Sequence, residues 1–592
     1  MYKNLKEFLK ALDRAGEINY ISEPVSVHLE ISKFTDRESK SPGGGKALFF
    51  QNVKESAFPV VTNIFGSTGR ICLALGVDHL DRLGDRVRDF TELNPPANFK
   101  EALNIIPLAV TAARFFPKML KTKSAPCREI VLKGADVDLS ILPVLWCWPE
   151  DAGPFVTLPL VFTKSLVTGR RNVGMYRLQI FDKNTTGMHW HIHKDGSHYY
   201  NEYCNAGKRM PVAVAIGADP AVTYAATAPM PRGMDEMVLA GFIRKKPVRM
   251  VKCLTIDMEV PAEAEFILEG YVDPGEFRRE GPFGDHTGYY SLADDYPVFH
   301  VTALTHRKYP VYNATLVGRP PMEDCYLAKA TERLFLPMLQ TVMPEICDYW
   351  FPWEGVFHNI VIVAIDKEFP GHAHKVMSGL WGQGQMSFCK AVVIVDKNID
   401  PSDSEMVFKE LLTKFDITSD IIITRGVLDV LDHSSPTPNF GSKIGIDLTA
   451  RFKGEPSRSD KTIYIKDPAT TSKPVSLPGI DNSMPLFQEC FGNSAVLNRI
   501  IAFSVKKNEN RGGRYFAEIL LNATEFADFN IFILFDNHID LADSSMLLWK
   551  LFNNVDPGRD LMVKDKRVVI DACKKLLIDG HAREWPEELV LP

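Results

Sequence analysis

Ile360-Val-Ile-Val-Ala-Ile365 and Ala391-Val-Val-Ile-Val395 are two short runs without a polar side chain, set on either side of a helix-patterned segment. Runs this short and this rich in Val and Ile read as strands buried on both faces, the mark of a sheet covered by helices. The pattern then returns. At an offset of 140, Ile360–Ile365 overlays Ile500-Ile-Ala-Phe-Ser-Val505, and residues 396–420 align without a gap to 536–560. Nine of those 25 positions are identical: Asp396, Ile399, Asp400, Asp403, Ser404, Met406, Leu411, Asp416 and Asp420 each meet the same residue. Ile444-Gly-Ile-Asp447 resembles Val568-Val-Ile-Asp571 at a smaller offset. One α/β unit is therefore expected twice. Lys453-Gly-Glu-Pro456, Ser472-Lys-Pro474 and Leu477-Pro-Gly479 mark a loop-rich linker near 453–480 between the copies.

Upstream, the helix-patterned stretch Leu327–Met343 leads back into a region with a different rhythm. Between about 116 and 320, short strand patterns follow one another between turn signals: Glu129–Leu132, Leu160–Phe162, Val173–Phe181, Val212–Ile216 and Val298–Leu304. That density implies a β-rich barrel or sandwich. Residues 1–115 mix helix and strand, with strands expected at Ala47–Phe50 and Val60–Ile64. The first helix carries Leu5, Phe8, Leu9 and Leu12 on one face. The expected architecture is α/β in the multidomain, α+β sense. It comprises an α/β domain at 1–115, a β-rich domain at 116–320, an α/β domain at 321–455 and a partial second copy at 456–592.

A chain of 592 residues exceeds a single hydrophobic core. A net charge of −6 leaves no basic surplus for phosphate backbones, which argues against nucleic acid as a partner. Ten cysteines without a C-x-x-C pair read as reduced thiols in the cytoplasm. No apolar run reaches the length of a membrane span. The stretch Ile105–Lys123 mixes Ile106, Leu108, Val110, Phe115 and Phe116 with Arg114, Lys118, Lys121 and Lys123. It reads as an internal linker with solvated lysines; the alternative is a peripheral contact with the inner membrane face.

Glu280-Gly-Pro-Phe-Gly-Asp285-His-Thr-Gly-Tyr-Tyr290 carries two carboxylates in a loop that Gly281, Pro282 and Gly284 constrain tightly. Asn172-Val-Gly-Met-Tyr-Arg177 supplies an arginine on an otherwise apolar strand face, where it needs a counter-charge. Together they point to an acid/base site, although carboxylates also cap turns. Asn172 and Arg177 are five apart, so an ideal strand puts them on opposite faces; either a bulge near Gly174 re-aims one, or they serve different parts of a bound group. His189, His191 and His193 fall at strand spacing and read as a polar sheet face rather than a zinc site.

These segments resemble the UbiD family of prenylated-flavin-dependent decarboxylases. The resemblance is also carried by Ser124-Ala-Pro-Cys127, Cys147-Trp-Pro-Glu-Asp-Ala152, Gly217-Ala-Asp-Pro220, Val251-Lys-Cys253, Glu259-Val-Pro261, Glu269-Gly-Tyr271, Gly318-Arg-Pro-Pro321 and Gly441-Ser-Lys-Ile-Gly-Ile-Asp447. It runs in order through about residue 455. It implies a split β-barrel holding prenylated FMN and a C-terminal α/β domain used in homo-oligomerisation, from dimer to hexamer. The cofactor is expected with manganese (or magnesium) and commonly a potassium ion, and a flavin prenyltransferase supplies it. The metal ligands map to Asn172, His193 and Glu236. Cofactor contacts map to Met175, Tyr176, Arg177, His189, Trp190, His191, Lys194 and Lys390, and the catalytic triad to Arg177, Glu280 and Asp285. His189 stands where relatives often have arginine, and Asn530 stands in the second copy where the first has Lys390.

The resemblance implies a carboxy-lyase acting on an aromatic acid, such as a prenylated hydroxybenzoate or naphthoate on the route to ubiquinone or menaquinone. Two other readings stay open here. One is a reversible decarboxylase of a small unprenylated phenolic or acrylic acid; the other is a cofactor-free structural paralogue. Arg177 is expected to lower the pKa of one carboxylate while burial and like charge raise the other.

Overall fold

The computed structural model describes residues 1–91, 112–121, 125–458, 477–486, 500–526 and 529–592. Residues 105–111 and 122–123 of the Ile105–Lys123 stretch, Ser124 and most of the linker near 453–480 lie outside the described residues. The chain forms two compact units, Met1–Phe335 with Glu587–Pro592, and Leu336–Pro586.

In the first unit, the opening helix Leu5–Arg14 is capped by the Asn4 side chain, which accepts from the Glu7 N–H at 3.0 Å. Leu5, Phe8, Leu9 and Leu12 are all buried, as their spacing requires. Four strands follow one another in a small sheet: Ile18–Ile21, Ala47–Phe50, Val60–Thr62 and Tyr312–Asn313. The β-rich region builds a seven-stranded sheet in the order Thr185–Gly187, Asp294–His306, Phe266–Glu280, Met210–Ile216, Leu160–Lys164 and Arg171–Met175, with Ile130–Lys133 also paired to Asp294–His306. Every pairing in it is antiparallel. Among the described residues this sheet does not close on itself, so the barrel is split in the literal sense. Its apolar face joins Trp148, Phe155, Phe283 and Tyr290 in one core.

The stretch expected as one strand over Val173–Phe181 is two. Arg171–Met175 pairs with Leu160–Lys164, then the chain leaves the sheet and Leu178–Gln179 pairs with Phe155–Val156. The first pairing runs without a register shift, so no bulge forms at Gly174. Tyr176 and Arg177 occupy the break, which frees Arg177 from strand alternation. The histidine face is also corrected: the strand ends at Gly187, and His189, His191 and His193 lie in the irregular segment beyond it.

The second unit contains the repeat. One sheet runs Ile346–Trp350, Ile360–Ile365, Ala391–Asp396, Phe440–Asp447, Ile421–Val427; the other runs Ile480–Pro485, Ile500–Val505, Ile531–Asp536, Arg567–Asp571, Leu561–Lys564. Order and orientation match strand for strand. The repeated aspartates explain themselves as caps and turns. Asp403 and Asp543 each accept from the N–H three residues on, at 3.1 and 2.9 Å, and so start the helices Ser404–Lys414 and Ser544–Asn554. Asp420 and Asp560 each accept from the backbone N–H of Asp416 and Asp556, at 2.7 and 2.8 Å. One shared core takes equivalent residues from both copies, among them Ile360 with Ile500, Val393 with Ile533 and Ile399 with Ile539.

Candidate active site

Glu280 is the last residue of the long strand Phe266–Glu280 and is fully buried. Beyond it, Phe283–Gly284 and Tyr290–Ser291 form a two-stranded hairpin that presents Asp285. Backbone geometry dictates the glycines: Gly281 has φ +85°, and a Cβ on Gly284 would lie 2.2 Å from the buried Trp148 ring. Side chains from elsewhere pin the loop. Asp151 accepts from the N–H of Gly284 at 2.7 Å and from those of Trp148 and Cys147 at 2.9 and 3.1 Å. Gln179 accepts from the Gly281 N–H at 2.9 Å.

Arg177 reaches both acids. Its Nε donates to Glu280 Oε1 at 3.0 Å and its Nη1 to Asp285 Oδ2. The guanidinium is only 8% exposed and stacks 4.6 Å from the Phe283 ring centre. Glu280 Oε1 has a second partner that sequence reasoning did not assign to it: His189 Nδ1 at 2.7 Å. His189 Nε2 in turn lies 2.6 Å from His191 Nε2, and Tyr296 stacks on its ring at 4.1 Å. The spacing of these residues holds no signal for the contact, because the chain between Gly187 and His189 is not a strand. Glu280 Oε2 is buried without a hydrogen-bond partner and faces Gly187, where a Cβ would sit 2.6 Å away.

The expected division of the two acids does not occur. Burial pushes both carboxyls up, but His189 and Arg177 hold Glu280 below its usual range, and His286 and Arg177 hold Asp285 below its own. Each anion has a histidine of its own and a share of the guanidinium's donors, so neither is raised. Raised carboxyls stand nearby instead: burial lifts Asp151 to about 7 despite its three backbone donors. Burial also lowers His189, with Arg177 adding to the effect.

Of the residues expected to bind metal, Asn172 and Glu236 meet at the Arg171 end of the strand Arg171–Met175. Asn172 is buried on it, and Glu236 opens the helix Glu236–Arg244, where its Oε2 accepts from the Val173 N–H at 2.8 Å. Asn172 also hydrogen-bonds Tyr176, whose ring packs over Gly174, within 2.5 Å of where a Cβ would be. His193 is exposed in the segment leading to Lys194, which caps the helix Asp195–Ala206. Met175 is half-buried at the strand end. Lys390 belongs to the second unit, buried with its ammonium 2.8 Å from Asp432 and 2.9 Å from Ser434.

Two observations fit a bound anion-and-cation group at this end. Glu236 is buried without an ion pair among the described residues, and burial, with Asp235 and Asp195 nearby, lifts its carboxyl to about 8. A hard divalent cation would relieve that charge, and amide and carboxylate oxygens suit it. The buried Trp190 Nε1 has no partner and lies against Gly196, which leaves room where a Cβ would approach to 2.7 Å. A separate cluster, Asp273, Glu276 and His300, also has metal-compatible spacing, but Arg209 already binds Asp273 at 2.6 and 3.1 Å.

Comparison with known proteins decides the family. Residues 9–87, 118–320, and 325–448 with 489–574 match the N-terminal, Rift-related central and C-terminal domains of 3-octaprenyl-4-hydroxybenzoate carboxy-lyase, UbiD. The chain belongs to the UbiD carboxy-lyase family. Family relatives include a protein of Archaeoglobus fulgidus, 47% identical over 77% of this chain and 93% of its own. A Helicobacter pylori protein is 38% identical over 99% of this chain and 94% of its own. Among solved structures, the vanillic acid decarboxylase of Sedimentibacter hydroxybenzoicus superposes with a TM-score of 0.69 at 26% identity, over 79% of this chain and 97% of its own. The UbiD-class enzyme HmfF of Pelotomaculum thermopropionicum, solved with FMN, gives 0.65 at 27% identity over 79% and 98%. UbiD-class neighbours thus bind FMN, and in another HmfF structure prenylated FMN. No described helix is long and apolar enough to cross a membrane.

Proposed function

We propose that this chain decarboxylates an aromatic acid with prenylated FMN, and that the acid is a prenylated hydroxybenzoate or naphthoate of quinone biosynthesis. The observation that carries the reaction is the buried Arg177 shared by Glu280 and Asp285. The substrate class rests on the family description, which names a polyprenylated hydroxybenzoate.

Loss of CO₂ from an aromatic ring would leave an aryl carbanion, and the prenylated flavin, when bound, supplies the electron sink that avoids it. The side chains handle orientation and protons. Arg177 is the arginine of the buried cluster, so an incoming substrate carboxylate competes with Asp285 for it. Added negative charge raises the Asp285 pKa and loads it with a proton. Asp285 then delivers that proton to the ring carbon that has lost CO₂. Glu280, held by His189, keeps Arg177 aimed throughout. Asn172, His193 and Glu236 would hold manganese, while Met175, Tyr176, His189, Trp190, His191 and Lys194 would contact the flavin.

A second reading takes a small unprenylated phenolic acid, reversibly; the similarity to a vanillic acid decarboxylase favours it. A cofactor-free paralogue would leave the buried Glu236 carboxyl, unpaired among the described residues, and Trp190 Nε1 without purpose. Homo-oligomerisation is part of the proposal, and HmfF has been solved in an evolved dimeric form.

The test is co-expression with a flavin prenyltransferase, followed by absorbance and native mass spectrometry. A bound species heavier than FMN by one prenyl-derived adduct, with manganese, is expected; a colourless protein refutes the reading. CO₂ release from prenylated against unprenylated acids then separates the two substrate classes.

A further inference from the structure

The segment Glu587–Pro592 belongs to the first unit and lies against the hairpin that carries Asp285. Tyr289 and Glu588 form an antiparallel bridge. The Tyr290 N–H donates to the Glu587 carbonyl at 3.0 Å, and the Leu589 N–H donates to the Gly288 carbonyl at 3.0 Å. The segment thus adds one antiparallel bridge, flanked by two backbone hydrogen bonds, to the edge of the hairpin. Its side chains alternate accordingly: Leu589 and Leu591 pack against the core that holds Trp148, Phe283 and Tyr290, while Val590 is 68% exposed. Leu589 Cδ2 comes within 2.9 Å of where a Gly284 Cβ would sit. The matched family domains end at residue 574, so no family domain accounts for this segment.

We propose that Leu589 is a positioning residue for Asp285. It clamps the hairpin on both sides of the acid. On one side its side chain lies over Gly284, whose N–H Asp151 holds; on the other its N–H holds the Gly288 carbonyl. Between those anchors Asp285 donates its own N–H to Tyr289 and accepts from the His286 N–H at 2.8 Å. The carboxylate can therefore meet Arg177 only while both anchors are in place. The inference rests on the role given to Asp285 above, and the test separates the two.

In the full-length protein, Leu589→Pro removes the N–H donor, Leu589→Ala removes the side-chain contact, and Leu589→Ile conserves both. Amide hydrogen exchange in the flavin-free protein reads the clamp directly. The His286 and Tyr290 amides are expected to exchange about ten-fold faster in Leu589→Pro, the scale of one lost hydrogen bond. Amides of Phe266–Glu280 should be unchanged, and Leu589→Ile should match the parent. In protein loaded with prenylated FMN, Leu589→Pro and Leu589→Ala should lower kcat by about ten-fold with KM and flavin content unchanged. Parent-like exchange at His286 overturns the inference, as does faster exchange with an unaltered kcat. Loss of flavin and thermal stability together in all three variants also overturns it, because the segment would then be merely structural. If the parent binds no flavin, the functional reading fails alone, and the exchange at His286 still decides whether Leu589 holds Asp285.

Discussion

Gly187→Ala tests the geometry of the acid pair at its most sensitive point. The added methyl would lie 2.6 Å from Glu280 Oε2 and 3.3 Å from Phe181 Cζ. Ordinary contact needs about 3.5 Å, so the carboxylate must retreat by roughly 1 Å. It has little room to do so, because its other oxygen is held at 2.7 Å by His189 and 3.0 Å by Arg177. Each charge-assisted hydrogen bond that is broken costs about 1.5–3 kcal/mol. A misplacement of about 1 Å at a reacting group typically costs about 100-fold in rate. The expected result is thus an enzyme that retains flavin and manganese but releases CO₂ about 100-fold more slowly, with KM little changed. Gly382→Ala is the control: its Cβ would meet only ordinary contacts, at 3.5 and 3.6 Å, and activity should persist. The assay is CO₂ release from whichever aromatic acid the parent turns over, with flavin content measured on the same sample. Parent-like kcat in Gly187→Ala would refute the role of Glu280 in keeping Arg177 aimed.

Arg177→Gln leaves two buried carboxylates without their cation, and the first unit should lose about 3–5 kcal/mol. Both acids are held below their usual range in the fold, so their contribution is present above the unfolded carboxylate pKa and lost as pH falls. Removing Arg177 removes much of that contribution, so the melting temperature should fall most at pH 7 and approach that of the parent as pH falls toward 2. Asp151 has the opposite sign. Its folded pKa of about 7 exceeds the ordinary 3.8, so its contribution is complete below 3.8 and fades as pH rises through 7. Asp151→Asn should therefore flatten the fall in melting temperature between pH 5 and 8; an unchanged slope excludes Asp151 as its source. Glu236→Ala should abolish the rise in melting temperature that manganese produces in the parent, and with it flavin retention. Undiminished manganese stabilisation would remove Glu236 from the metal shell.

Much of the framework is a matter of local rules. The Ile360–Ile365 and Ala391–Asp396 strands, the opening amphipathic helix and the 140-residue repeat all follow from hydrophobic period and from capping aspartates. So does the loop at Glu280–Tyr290, because its glycines meet steric demands set within a few residues and by Trp148. The family, and with it the candidate acids and their arginine, was legible for the same reason: each lies in a contiguous motif. Tertiary structure decided what those motifs touch. No spacing rule joins His189 to Glu280 across 91 residues, or sets Leu589 against Gly284 and Gly288. Sequence pattern also carried Val173–Phe181 through as one strand, although Leu178–Gln179 finds its partner in Phe155–Val156 rather than in the main sheet. The charge states diverged most. Sequence shows which groups can titrate, but a pKa is set by burial and by neighbours in space, and His189 and His286, with the guanidinium between the two carboxylates, lower both. Periodicity and caps act over a few residues and can be read along the chain; desolvation and pairing act across it and exist only once it is folded.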